Sequence, residues 1–289
     1  MVREIPKTLQ SLAPTYQVGI EEREYEVLLI DNGSPERLDA DRILASMPNI
    51  SLSVIDDAPA SPALAINRAI SSARGEIICL MIDGAHILTP KVLHYGLAPF
   101  SFHPNPIVST LPFFLGPGEQ PDTVQNGYTP DEEDRLLERI KWPEDGYRLF
   151  EIGVPYRYHF KNGPPKLYWF VKRFESNCLF FKKQSFLNAG GCDLRFDIAG
   201  GGCLLPDLCR ELGELSDAGL FQILGEASFH QVHGGVSTSK DRKQQEELWQ
   251  QYTEQYKKIR GRDYQICQKP LEFIGHMNHK LARLLMLTG

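Results

Sequence analysis

Gly75-Glu-Ile-Ile-Cys-Leu-Met-Ile-Asp-Gly-Ala-His86 is the stretch from which the rest of the chain can be read. Six apolar residues, Ile77 to Ile82, several of them β-branched, predict a strand covered on both faces, as in a parallel sheet. The strand stops abruptly in Asp83, Gly84, Ala85 and His86. In open α/β sheets, ligands bind outside the carboxyl ends of strands. Asp83 and His86 are therefore the first candidates for chemistry, although Asp-Gly is also a common turn pair and a lone His is as often a surface residue.

Working outward, the preceding sequence repeats this plan. Residues 3 to 12 carry Ile5, Leu9 and Leu12 on one helical face. Tyr25 to Ile30 predicts a strand ending in Asp31-Asn32-Gly33-Ser34, followed by a helical pattern. Leu52 to Ile55 predicts a second strand, ending in Asp56-Asp57, and Ala63 to Ala73 a helix. Strands alternating with helices imply right-handed crossovers and a mostly parallel sheet. Three successive strands end in carboxylates. Such groups cap helices or form turns, and they also accept from ribose or base donors or hold a cation between phosphates. No GxGxxG and no GxxxxGK[ST] occurs, which argues against dinucleotide and P-loop versions of this architecture.

Downstream, a helix is expected after Pro90, a strand at Ile107 to Leu111, a loop from Pro112 to Pro130 and a short helix from Asp131 to Lys141. The aromatic-rich Phe150 to Phe170 (Tyr156, Tyr158, Phe160, Tyr168, Trp169, Phe170) reads either as packing or as a platform for the apolar faces of a sugar. Asn177 to Phe181 predicts a strand, Lys183 to Ala189 a helix, and a further helix carries Asp207 near its start. Ile223 to Phe229 is expected to be the last strand, followed by His230-Gln-Val-His233. Three apart on an extended strand, the two imidazoles would point oppositely, which makes His233 the expected ligand. Residues 240 to 260 predict a polar helix with a Trp249, Tyr252 and Tyr256 stripe, and 271 to 287 an amphipathic helix.

The 289 residues are ordinarily globular, 42% hydrophobic and 24% charged. The net charge of -6 argues against nonspecific nucleic-acid binding, so no nucleic-acid partner is expected. No apolar run is long enough to span a membrane, and Met1 to Lys7 has no signal-peptide core. Cys79, Cys178, Cys192, Cys203, Cys209 and Cys267 form no CxxC pair, so reduced thiols and a cytoplasmic location are expected. Residues 240 to 289 carry ten Lys/Arg against six Asp/Glu. A basic amphipathic segment at 271–287 can pack on the domain or make peripheral contact with anionic membrane.

Taken in series, these pieces resemble glycosyltransferase family 2, with its GT-A fold. The matching segments are Tyr25 to Ser34, Ala65 to Ile78, Asp83-Gly-Ala-His86, Gly190 to Asp197 and His230 to His233, and they span roughly residues 1 to 240. The resemblance implies an α/β, Rossmann-like open sheet flanked by helices, with a nucleotide-sugar half at 1–115, an acceptor half at 116–240 and a helical C-terminal extension at 241–289. It implies a nucleotide-sugar donor, a UDP-sugar first, held by Asp31, Asn32, Gly33, Asp57, Asn67 and Asp83. It also implies a carbohydrate or lipid-linked acceptor and inversion at the sugar. Asp83 matches the first Asp of the family's Asp-x-Asp, His233 the C-terminal metal-binding His, and Asp207 the catalytic base.

Departures accompany the match. Ile66 and Ala69 replace an Arg and a Gly beside Asn67, Pro206 replaces the Glu before the base, and Ala85 replaces the second metal carboxylate. The divalent metal, Mn2+ or Mg2+ in the family, would rest here on Asp83, His86 and His233, a set that suits Mn2+ or another transition metal better. The family pattern also places a strand before the first helix. Either that strand lies upstream of residue 1 or the sheet lacks it. The alternative reading is a nucleotide-sugar-binding protein impaired in catalysis. A nucleotidyltransferase would need a basic glycine-rich phosphate loop, which the sequence lacks.

Overall fold

The computed structural model describes residues 1–20, 25–156, 168–170, 172, 177–236 and 238–277. In chain order these form α1 (Glu4–Leu12), β1 (Val27–Asp31), α2 (Ala40–Ser46), β2 (Ile50–Val54), α3 (Ala63–Ser72), β3 (Ile77–Met81), β4 (His86–Leu88), α4 (Val92–Leu97) and β5 (Asn105–Leu115). They continue with α5 (Gln120–Gln125), α6 (Pro130–Arg139), β6 (Gly153–Pro155), β7 (Cys178–Lys182), α7 (Lys183–Asn188), α8 (Leu204–Glu214), β8 (Ala218–His230), α9 (Arg242–Arg260) and β9 (Leu271–Gly275). The result is the expected α/β architecture, a central sheet flanked by helices.

The parallel pair β5–β8 is the spine of that sheet, running from Asn105 opposite Ala218 to Phe114 opposite His230. β9 adds in parallel to β8. The antiparallel strands are shorter: β7 joins β3 to β5, β6 pairs with the end of β5, and β4 pairs with the end of β8. Parallel ladders account for more of the paired positions than antiparallel ones, because β5 and β8 are the longest strands.

β1 pairs in parallel with β2 and stands apart from the larger sheet. Among the described residues no strand joins β1 to β3 in one sheet. Both strands instead line one cavity of about 1810 Å³. This explains a difference from the sequence reading: Ile77–Met81 is only half-buried along its length, although its composition suits a strand covered on both faces.

Three apolar clusters hold the helices on. Ile66 and Ile70 of α3, Leu204, Leu208 and Leu212 of α8, and Tyr256 of α9 share one. Ile5, Leu9 and Leu12 of α1 meet Leu88, Val92 and Val108 in a second. The third is aromatic: Phe229 stacks on Phe113 at 5.0 Å and meets Phe150 edge-on at 5.1 Å, with Trp169 beside them.

Four expectations change. Pro112–Leu115 is strand rather than loop, since β5 runs on along β8 past the register shift between Ser109 and Leu111, and Gln120–Gln125 is a helix. β8 is longer than expected and is not the last strand. Leu271–Gly275 is a strand rather than the start of a helix, its backbone pairing along Leu220–Leu224. The rest of the 271–287 pattern, from 278, lies outside the described residues. Of the aromatic stretch, Tyr158 and Phe160 also lie outside them, Phe150 and Trp169 are core, and Tyr156 stacks on Phe114 at 3.8 Å. No helix among the described residues is long and apolar enough to cross a membrane.

Phe229 is fully buried, one residue before His230. Phe229→Ala is expected to cost about 3–5 kcal/mol, the usual range for emptying an aromatic core position, as measured by urea denaturation.

Candidate functional site

The turn after β3 is held from α1. Thr8 Oγ1 donates to Gly84 O at 2.8 Å, and Leu88 N donates to Ser11 Oγ at 3.1 Å. Gly84 has a packing reason to be glycine, because a Cβ there would lie 2.4 Å from Ile5 Cδ1. Asp83 turns its own Oδ1 back to accept from Ala85 N at 3.1 Å. Ala85, at the position of the missing carboxylate, is fully buried.

The antiparallel pairing of β4 with β8 sets His86 directly opposite His230. Their rings sit edge to face at 5.0 Å. One ligand atom from each of Asp83, His86 and His230 falls within 4.8 Å of the others. His233 completes the group, its Nε2 lying 3.1 Å from Asp83 Oδ2 and 3.1 Å from His230 Nε2. The strand-period argument against His230 fails because β8 stops at His230. Beyond it the chain turns, so residue 233 returns to the same side.

Neighbours orient these rings. His230 Nδ1–H donates to Gln120 Oε1 at 2.6 Å, and Gln120 Nε2 donates to His230 O at 2.9 Å. This turns His230 Nε2 toward Asp83 Oδ2, 3.9 Å away, and toward His233, the arrangement of a metal-binding imidazole. Val232 is clamped at both backbone groups, its N donating to Glu133 Oε2 at 2.7 Å and its O accepting from Arg3 at 2.9 Å. Arg3 also pairs with Glu133 at 2.7 Å. Burial pushes the Glu133 carboxyl up to about 7, against the pull of Val232 N–H and Arg3.

His86 is fully buried, and neither ring nitrogen has a hydrogen-bond partner. Such groups in a folded interior call for an explanation. Burial, reinforced by the neighbouring His230, lowers the His86 pKa to about 3. Burial would raise the pKa of Asp83, but His230 and His233 outweigh it and hold the carboxyl well below its usual range. Burial likewise opposes protonation of His233, and the bond to Asp83 reverses this, raising its pKa. A carboxylate, a neutral imidazole without partners and two further imidazoles make a donor set that fits a divalent transition metal.

Asp31 and Asn32 line the same cavity as Asp83, His86, His230 and His233. Asp31 Oδ1 accepts from Ser34 N at 2.8 Å, and Asn32 Nδ2 donates to Pro59 O at 3.1 Å. The other expected residues lie elsewhere. Asp57 is exposed, beyond the end of β2. Gly33, at φ +76, makes the turn after β1 against Ala58. Asn67 ties α3 to Cys192, donating to its O and accepting from its N at 2.9 Å each. Asp207 is buried and does not line the cavity; Arg260 of α9 grips both its oxygens, at 2.8 and 2.5 Å. Sequence reasoning passed over His230, and the His86–His230 register across β4 and β8 is the signal that places it.

The fold is similar to that of S. aureus TarS. TarS 1-349 with UDP-GlcNAc aligns at a TM-score of 0.51 and 12% identity, covering 88% of this chain and 63% of that one. The same protein with UDP gives 0.50, 13%, 89% and 68%. A further structure of S. aureus TarS gives 0.49 and 15%, and this chain spans only 34% of it. No family model and no curated protein matches the sequence.

Two outcomes are expected. A neutral His86 contributes stability above about pH 6.5 that is lost as pH falls toward about 3, because the unfolded chain takes up the proton first. Asp83 acts in the same direction at lower pH, whereas the contribution of His233 is lost as pH rises. His86→Leu should therefore flatten the fall in urea midpoint between pH 6.5 and 4. Separately, Arg260→Ala leaves Asp207 buried and unpaired and should cost about 3–5 kcal/mol, with Asp207→Asn in that background restoring part of it.

Proposed function

We propose that this chain transfers a sugar from a nucleoside-diphosphate sugar to an acceptor hydroxyl, with a UDP-sugar as the expected donor and inversion at the anomeric carbon. The observation that carries this reading is that Asp31 and Asn32, at the end of β1, share a cavity with the Asp83–His86–His230–His233 cluster at the end of β3. Support also comes from the fold likeness to a protein solved with UDP and with UDP-GlcNAc.

In this reading Asp31 and Asn32 receive the donor's base or ribose, because carboxylates and amides at strand ends accept and donate to those groups. Asp83, His86, His230 and His233 would hold a divalent transition metal, Mn2+ before Mg2+. Bound there, the ion would supply countercharge to the diphosphate. Gln120 fixes the tautomer of His230, and the Arg3–Glu133 clamp fixes the loop that carries His233. Asp207 serves as base only where its pair with Arg260 opens toward the acceptor.

That ion pair, together with Ala85 in place of a second carboxylate, favours a second reading, a nucleotide-sugar-binding protein without turnover. A panel of UDP- and GDP-sugars with Mn2+ separates the two. Turnover should appear with at least one donor, and Asp83→Asn should lower it by about 100-fold or more. UDP binding by calorimetry with no turnover on any donor would leave only the second reading. A comparable loss in Asp207→Asn assigns the base, whereas wild-type turnover confines Asp207 to its ion pair.

A further inference from the structure

β1 and β3 face each other across an open slot. Every residue of both strands lines the cavity, Val27 to Asp31 on one side and Ile77 to Met81 on the other. Among the described residues neither strand has a ladder partner on the slot side. The hydrogen bonds on their other sides fix which backbone groups are left over. Val27 N donates to Asn49 O and Asp31 O accepts from Ile55 N, both at 2.9 Å. The odd-numbered residues of β1 therefore turn their amides and carbonyls to β2. Leu28 and Ile30 turn theirs into the slot, since successive residues of a strand bond to opposite sides. On β3, Glu76 O accepts from Lys183 N at 2.8 Å and Ile82 N donates to Asn177 O at 3.2 Å. The even-numbered residues there serve β7, which leaves Ile77, Cys79 and Met81 turned toward β1. The two strands also share one layer. Val27, Leu29, Cys79 and Met81 pack with α1 and α2 on one face, and Ile78, Leu80 and Ile82 with α3 and α8 on the other. At the amino end Glu26 reaches across, accepting from Arg74 N at 2.6 Å and from Arg74 Nε at 2.9 Å. One side chain spans the gap there, so the slot is narrow, and a single intervening strand needs about 5 Å from each neighbour.

We infer that the slot between β1 and β3 is a binding site for an extended apolar polypeptide segment, which adds as a strand to both and joins the two sheets. A peptide backbone carries donors and acceptors at strand spacing along both of its edges, which is what two facing open ladders require. The lengths of β1 and β3 suit a segment of about five to seven residues. Its side chains follow from the walls. α1 lines the slot with Ile5, Leu9 and Leu12, and α3 with Ala65, Ile66 and Ala69. Apolar walls on both faces require apolar side chains at successive positions, the pattern of a strand buried between helices. Ala65 and Ala69 leave room on their side, so the larger side chains face α3. Carboxylates line both ends, Glu76 at one and Asp31 at the other, which favours basic residues flanking the apolar run. In the transferase reading the nucleotide-sugar takes the cleft beyond the strand ends, so the two sites are separate and stand or fall separately.

The test is a displayed library of peptides of about seven residues, with lysine at both ends and Ala, Val, Ile, Leu or Phe between them, presented to the wild-type protein. Each peptide recovered is titrated by fluorescence anisotropy, and amide hydrogen exchange is followed by NMR with and without it. Saturable binding is expected, with new protection at Leu28, Ile30, Cys79 and Met81 and little change at Val27 and Leu29, whose amides already serve β2. Leu28→Pro removes one slot-facing N–H and leaves the β2 ladder whole. It should weaken binding about tenfold or more, because a buried peptide carbonyl loses its donor. Thermal melts show whether that variant folds. The peptide supplies the same reading on the wild-type protein, since N-methylation at alternate inner positions strips the donors from one edge and should abolish binding. Absence of any binder, binding without protection at those four amides, or undiminished affinity of the N-methylated peptide or of folded Leu28→Pro overturns the inference. So does full protection of the four amides in the free protein, because the slot is then already filled.

Discussion

His86 stands directly opposite His230 because β4 runs antiparallel to the end of β8, and the candidate site depends on that register. A slip of one residue would send one of the two rings to the other face of the sheet. The register is held by apolar neighbours on both strands, with Ile87 opposite Phe229 and both fully buried. Thr89 secures the far end, accepting from Ala227 N at 2.9 Å. The cluster is therefore anchored by hydrophobic packing that has no part in its chemistry.

The remaining ligand atoms arrive by different routes. Asp83 comes from the end of β3, in a turn pinned by α1 through Thr8 and the close approach of Ile5 to Gly84. His233 comes from beyond β8, on a loop gripped by Arg3 and Glu133. α1 thus touches the site from two sides, since Arg3 stands at its start and Gln231 Nε2 donates to Glu4 O at 3.2 Å. A fully buried imidazole with neither nitrogen bonded is tolerated in so tightly held a setting, and its depressed pKa leaves it neutral and ready to donate a lone pair.

The cavity owes its size to the separation of two sheets. β1 and β2 form their own pair, and β3 opens toward them instead of being covered. That opening joins the strand-end residues Asp31 and Asn32 to Asp83, and α9 forms a further wall. Asp207, expected in the same place, is withdrawn by Arg260, which also reaches Asp193 at 3.3 Å and lies over Phe196. The ion pair joins α8 to α9 and so helps position the helix that carries Trp249.

Local patterns were enough to identify β1, β3, α3, α8 and α9, since apolar periodicity and turn residues are properties of neighbouring positions. They also marked Asp31 and Asp83, which end apolar runs, and His86 and His233, which lie in the short polar segments just beyond such runs. What they could not supply was anything set by pairing between distant segments. The opposition of His86 and His230, the capture of Asp207 by Arg260, the tie from Asn67 to Cys192 and the pairing of Leu271–Gly275 with β8 all join residues far apart in the chain. Such contacts are selected by the burial and hydrogen bonding of the whole fold, and no short window of sequence contains both partners.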